Sequence, residues 1–189
     1  AMIALMYDIG ARVQEIADIT IGSIRSLEPY TIKITGKGNK TRIVPMMKEQ
    51  MKFLIQYMQE NQLLQNSFRP TPLFFNARNE KFTRAGISYI LQKYLQMARQ
   101  KNPLLVPEGI SCHSLRHSKA MHLLQAGVPL IYIRDLLGHE SVVTTEVYAR
   151  ADSLQKRKAL ESAFEKVSDD LKMPSWQTNQ DLLDWLKSL

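Results

Sequence analysis

Only one long stretch of this 189-residue chain alternates apolar and polar side chains with a period of two, and that limits the folds open to it. In residues 30–46, Tyr30, Ile32 and Ile34 alternate with Thr31, Lys33 and Thr35; Arg42-Ile43-Val44-Pro45 follows after Gly36-Lys37-Gly38-Asn39-Lys40. Successive strand side chains point to opposite faces, and two glycines with an asparagine in five residues mark a tight reversal. Pro45 has no N–H to give to a ladder, so it ends the second strand or lies at an edge. The segment predicts an antiparallel β-hairpin. The one other strand candidate is the short apolar, extended Leu73-Phe74-Phe75.

The remainder reads as helix. Residues 1–7 look like the end of one, Asp8-Ile9-Gly10 a turn, and 11–18 a second, with Val13, Ile16 and Ala17 inward and Arg12, Gln14 and Glu15 outward. Residues 47–64 bring Met51, Leu54, Ile55 and Met58 to one side, and the run from Ser67 to Pro72 breaks the pattern. Thr83 suits an N-cap, ahead of an apolar face of Ile87, Ile90, Leu91, Tyr94, Leu95 and Ala98. After a loop over 101–110, helices are predicted over about 114–126, 129–137 and 141–148, with Gly127 closing the first, Pro129 opening the second and Ser141 capping the third. The tail predicts a helix near 153–171, a break at Met173-Pro174-Ser175 and an amphipathic helix over about 179–188 containing Leu182, Leu183, Trp185 and Leu186. The expected class is therefore mainly α with a small antiparallel sheet (α+β), with a body over 1–172 and a tail over 173–189.

Charge separates these parts. Residues 1–150 hold 19 Lys and Arg against 11 Asp and Glu, whereas residues 151–189 hold 6 against 7. A basic body with a near-neutral tail points to a polyanionic partner. No apolar run is long enough to span a bilayer, and the opening AMIALMYDIGAR lacks a basic leader, so a cytoplasmic protein without membrane contact is expected. The single cysteine, Cys112, excludes an internal disulfide and agrees with a reducing compartment. His113 beside it raises the question of a Cys/His nucleophile, but adjacent side chains diverge and a buried thiol is the expected fate.

Four local patterns carry chemistry. Arg12 follows the Gly10 turn at a helix start, where free amides favour an anion; it could equally be a surface arginine paired to Glu15. Lys37 sits between two glycines on a hairpin tip, either a solvated basic turn or a loop whose backbone approaches a ligand. There is no phosphate-binding G-x-x-x-x-G-K-[ST] sequence here. In His113-Ser-Leu-Arg116-His117, positions i and i+3 share a helix face, so His113 and Arg116 can hold a phosphate together. His113 and His117 as metal ligands are disfavoured by the missing glutamate of H-E-x-x-H and by the neighbouring Arg116 charge, and His117 reads as a hydrogen-bonded core histidine. Finally, Leu136-Leu137-Gly138-His139 precedes Tyr148 by nine positions; a tyrosine taken alone is structural.

Together, GARVQEI, GKGNKTRIVP, HSLRHSKAMHLL and LLGHESVVTTEVYAR resemble the tyrosine recombinases, or phage-integrase family, over about residues 2–150, nearest to integrases of the Xer type. The order Arg, Lys, His-x-x-Arg, His, Tyr matches at Arg12, Lys37, His113, Arg116, His139 and Tyr148. The resemblance implies a recombinase catalytic-domain fold, and a site-specific DNA recombinase in which Tyr148 attacks a phosphodiester of double-stranded DNA. The products would be a 3′-phosphotyrosine and a free 5′-hydroxyl, with strand exchange and religation following. Arg12 and Arg116 would clamp the phosphate, Lys37 would act as general acid, His113 would assist proton transfer and His139 would orient the phosphate. No metal or other cofactor is implied. Family members act as tetramers and carry an N-terminal DNA-binding domain that is not found in this sequence. The tail helix would pack on its own domain or on a neighbouring protomer. A type IB topoisomerase and a non-catalytic DNA-binding remnant remain as alternatives.

Overall fold

The computed structural model describes residues 1–66 and 71–151. The expected tail helices and the boundary at 172/173 lie outside the described residues, and the unit that carries the site is Ala1–Asp152.

Gly10 sets the first corner. Helix α1 (Met2–Asp8) ends in a turn where Gly10 takes φ +57°, and the chain re-enters helix at α2 (Val13–Asp18), with Arg12 as its N-cap. A β-carbon at Gly10 would lie 2.7 Å from Leu137 Cδ2, so this position needs both the backbone freedom and the missing side chain of glycine. Ile16 and Ala17 are buried as expected, but so is Glu15, at 4% exposure. Its predicted outward position is wrong because two arginines meet it inside the fold.

The hairpin forms as read, from β2 (Thr31–Thr35) and β3 (Thr41–Pro45), with Ile32 opposite Val44 and Ile34 opposite Arg42. Ile32, Ile34 and Val44 are buried, so one face rests on the core. The sheet has a third strand that the pattern did not reveal: β1 (Ile24–Arg25) pairs antiparallel with β2, and two residues are too few to show a period. Leu73 and Phe74 are buried at a bend rather than in the expected strand or extended segment, between isolated bridges from Thr20 to Pro72 and from Phe75 to Lys81.

Helix α3 (Lys48–Glu60) buries Met51, Leu54 and Met58. Helix α4 (Arg84–Lys101) starts at Thr83, whose hydroxyl accepts from the Gly86 amide at 3.1 Å. It buries Ile87 and Leu91, but Tyr94 is 56% exposed, so the apolar stripe is narrower than predicted. Helix α5 (Cys112–Gln125) begins two residues earlier than expected because Ser111 caps it through the Ser114 amide. Helix α6 (Leu130–Leu137) follows with Pro129 at the N-cap rather than inside the first turn, and ends at Gly138 with φ +65°. Helix α7 (Val142–Ala151) is entered with Ser141 Oγ accepting from the Val143 amide.

Two apolar clusters result. The larger joins α1–α4 and the sheet; the smaller joins α5, α6 and α7 through Ala120, Leu124, Ile133, Leu137 and Tyr148. Contact of α1 with α5, and of α6 with β3, brings the α1–α2 turn, the hairpin tip and the α6–α7 junction together. No described helix is long and apolar enough to cross a membrane.

Candidate active site

Arg116 lies at the centre of this convergence. It is 2% exposed, and its guanidinium donates to Gly10 O and Leu137 O, both at 2.7 Å. One side chain on α5 thus ties the turn before α2 to the end of α6. Burial first, then the charge of nearby Arg12, lowers its pKa to about 10, so it stays protonated at neutral pH. Its inward direction separates it from His113, which is exposed on the first turn of α5.

Arg12 is part-buried. Its Nη1 donates to Glu15 Oε1 at 3.0 Å, its amide to Glu15 Oε2 at 2.8 Å, and its Nη2 reaches Gly138 O at 3.5 Å. Glu15 also accepts a two-pronged contact from Arg42, Nη1 to Oε1 at 2.9 Å and Nη2 to Oε2 at 2.8 Å. Burial alone would raise the Glu15 carboxyl, but the hydrogen bonds and charges of Arg42 and Arg12 outweigh it and hold it below the usual carboxylate range. Arg12 therefore pairs with Glu15, as one of its two readings had it, and keeps a donor on the α6–α7 junction.

A cavity of about 550 Å³ opens here, with Arg12, Lys37, Lys40, Arg42, His139 and Glu140 in its wall. Lys37 lies exposed on the hairpin tip, where Gly38 at φ +72° and Asn39 at φ +58° turn the chain. Across the cavity mouth Lys40 Nζ pairs with Glu140 Oε1 at 2.7 Å.

Tyr148 packs in the smaller cluster at 7% exposure, yet at its edge. Its ring lies 5.4 Å from that of His117 and 6.4 Å from that of His139, the latter nearly parallel at 12°. Burial raises its pKa; the charges of Arg116 and Arg12 partly offset this. The phenol is thus buried against the cationic groups rather than away from them. Among the described residues its hydroxyl has no hydrogen-bond partner.

His139 Nδ1 lies 3.0 Å from Thr145 Oγ1. Burial, then the charges of Arg116, Arg12 and Arg42, push its pKa down to about 4, leaving it neutral at physiological pH. An unfolded imidazole titrates near ~6.5, so the unfolded chain takes up this proton first. Stability is therefore expected to fall as pH drops from about 6.5 towards 4, by on the order of 1–2 kcal/mol from this group after allowance for solvent screening. His139→Asn should flatten that part of the curve in urea unfolding across the range; an unchanged slope would assign it elsewhere.

The structure thus brings Arg12, Lys37 and His139 into one cavity wall, stacks His139 on Tyr148, ties Arg116 to the two turns behind them through Gly10 O and Leu137 O, and leaves His113 one ring removed. The His113 ring lies 4.1 Å from His117, which in turn meets Tyr148. His117 is exposed and not the core histidine expected from the sequence, because α5 turns Arg116 inward instead. Among the described residues no group of three or more His, Cys, Asp or Glu side chains could hold a metal ion. Cys112 is buried, with Sγ 3.7 Å from Ser88 Oγ, as expected for a structural thiol. Glu15 and Arg42 are the site residues that sequence reasoning missed. Glu15 three positions after Arg12, reaching back to its amide, was the available signal.

The phage integrase family model matches residues 1–155. The chain is 35% identical over 156 residues to the tyrosine recombinase XerC of Thermodesulfovibrio yellowstonii, covering 80% of this chain and 50% of that protein. It is 33% identical to XerD of Corynebacterium glutamicum, covering 82% and 50%. A putative integrase/recombinase of Sinorhizobium fredii is 33% identical across 100% of this chain and 55% of its own length. The chain spans about half the length of the curated relatives it matches. Among solved structures, XerA recombinase superposes with TM-score 0.69 at 26% identity, covering 86% of this chain and 57% of that one. XerH bound to its palindromic difH substrate superposes with TM-score 0.67 at 27% identity, covering 87% and 45%. With the family model accounting for most of the chain and the fold matching as well, this protein belongs to the phage integrase family.

Proposed function

We propose that this chain is the catalytic part of a site-specific recombinase that cuts and rejoins double-stranded DNA through Tyr148. The observation that carries this reading is a phenol stacked on His139, with no hydrogen-bond partner among the described residues, beside two arginines that both donate to the Leu137–Gly138 turn.

In this reading the Tyr148 oxygen attacks phosphorus, the bond from phosphorus to the 5′ oxygen breaks, and a 3′-phosphotyrosine forms. A phenol ionises far more readily than an alcohol, so it serves as nucleophile and, on the return step, as leaving group. Bond energy is retained, and strand exchange needs no nucleotide cofactor. Arg12 and Arg116 stabilise charge growing on the non-bridging oxygens. Lys37, on the hairpin tip, protonates the departing 5′ oxygen, and His139, neutral and packed on the phenol, orients the phosphate. His113 assists proton movement from the phenol, with His117 lying between them. The arginines and lysine supply the positive charge, so no metal is assigned. Double-stranded DNA is the partner, the working assembly is a homotetramer on paired sites, and the setting is the cytoplasm. The names XerC, XerD and integrase among the relatives favour strand exchange over supercoil relaxation or a non-catalytic remnant.

The test is covalent trapping in excess EDTA on short nicked duplexes whose cleaved 5′-hydroxyl fragment diffuses away. The expected product is one DNA strand joined by its 3′ phosphate to Tyr148; attachment through a 5′ end, or cleavage abolished by EDTA, would defeat the proposal. Lys37→Ala should slow adduct formation by about 100-fold or more. A substrate with sulfur at the 5′-bridging position should restore most of the rate, because a thiolate leaves without a proton. Lack of rescue would remove Lys37 from the general-acid role.

A further inference from the structure

We infer that Arg42 is a positioning residue for strand cleavage: it locks the hairpin that carries Lys37 to the helix junction that carries His139, and it does so through the carboxylate that also holds Arg12. The inference rests on the proposed recombinase chemistry and adds a residue to which nothing in that chemistry gives a role.

Arg42 sits on β3, just beyond the turn that bears Lys37, with its side chain 12% exposed. All three of its nitrogens are engaged. Nε donates to Leu136 O at 2.8 Å, two residues before Gly138, and the two terminal nitrogens fork onto Glu15. Glu15 in turn holds the amide and Nη1 of Arg12. Three segments that are distant in sequence, α2, the hairpin and the end of α6, therefore meet on one guanidinium. A planar fork with a third donor at right reach does this; a lysine ammonium offers a single point and cannot address both partners in that geometry.

Two glycines make room for the arrangement. A β-carbon at Gly138 would lie 2.8 Å from Arg42 Nη1 and 3.1 Å from its Cδ, and one at Gly36 would lie 3.1 Å from Glu15 Oε1. Gly36 opens the turn that carries Lys37, and Gly138 immediately precedes His139. The backbone on both sides of the cavity is thus pressed onto this ion pair, so the ion pair sets the width between Lys37 and His139. Arg42 also lines the cavity, but its donors face Glu15 and Leu136, so it acts on the reaction through the groups it holds.

The experiment compares the parent chain, Arg42→Gln and Arg42→Lys in single-turnover adduct formation. The probe is a pool of nicked duplexes of randomised sequence, made with either oxygen or sulfur at the 5′-bridging position. DNA affinity and the far-UV spectrum are measured alongside. Misplacing a catalytic group by about 1 Å slows chemistry by about 100-fold, so a loss of roughly 10- to 100-fold is expected with oxygen substrates at unchanged DNA affinity. With sulfur substrates part of that loss should disappear, since the displaced Lys37 is then not required; a scaffold defect would lower both substrates equally. Arg42→Lys retains charge beside Glu15 and should fold while showing the same asymmetry. Rates within twofold of the parent, an equal loss on both substrates, or failure of both variants to fold would each overturn the positioning role. Failure of the parent chain to form any adduct would instead overturn the recombinase reading itself.

Discussion

Tyr148→Phe is expected to bind duplex DNA with the affinity of the parent chain and to give no covalent adduct at any time or concentration. The two results separate binding from chemistry. Removing one oxygen leaves the ring contacts with His117 and His139 in place, and the smaller cluster keeps its packing. Because the hydroxyl has no described partner, stability should change by less than about 1 kcal/mol. The proposed chemistry, in contrast, loses its nucleophile entirely. The check is a gel-shift titration alongside denaturing electrophoresis on nicked duplexes. An adduct formed by the phenylalanine variant would move the nucleophile to another residue, and a loss of binding would mean that the phenol acts before cleavage.

Arg116→Met should have the next largest effect, and on two scales. The side chain is buried and supplies donors to Gly10 O and Leu137 O. Methionine fills much of the volume but leaves both carbonyls without that donor. Each unsatisfied buried acceptor costs about 1–3 kcal/mol, so a loss of about 2–6 kcal/mol in urea unfolding is expected. In the proposed reaction, loss of a preorganised charge at the phosphate adds about 3–4 kcal/mol to the barrier, a slowing of about 100- to 1000-fold in adduct formation measured under conditions where the variant is folded. Arg116→Lys restores the charge but not the two-sided reach, so it should recover part of the stability and little of the rate. A folded methionine variant that cleaves at the parent rate would show that Arg116 is structural alone.

The hairpin was legible because burial of one face writes itself into every second residue, and two glycines with an asparagine between Gly36 and Lys40 mark the turn. The helices α4 to α7 were legible from their caps and breakers, Thr83, Gly127 and Ser141 among them. Strand β1 was not, since Ile24 and Arg25 acquire their pairing only from Ile32 and Thr31 on β2. Arg12, Lys37, His113, Arg116, His139 and Tyr148 could be read only jointly; each by itself has an ordinary structural use. Glu15 and Arg42 escaped even joint reading. A glutamate three positions from an arginine looks like a surface pair, and an arginine in an edge strand looks solvated. Their burial is decided by each other across 27 positions, and no local pattern encodes that. His117 was misplaced for the converse reason: a helix of low amphipathic contrast gives little indication of which of three consecutive polar-looking turns faces inward, and Arg116 took that place.

The bond from Arg116 to Gly10 O has a geometric result for the proposed phosphate site. Arg12 stands only two residues along the same backbone, with its own guanidinium anchored on Glu15 and Gly138 O, so both arginines are referenced to one short turn. Sliding of α5 against α2 must break that bond before Arg116 can leave the turn that leads into Arg12. In the proposed phosphate clamp the two arginines are thereby mounted like jaws on a single block, the turn at Gly10.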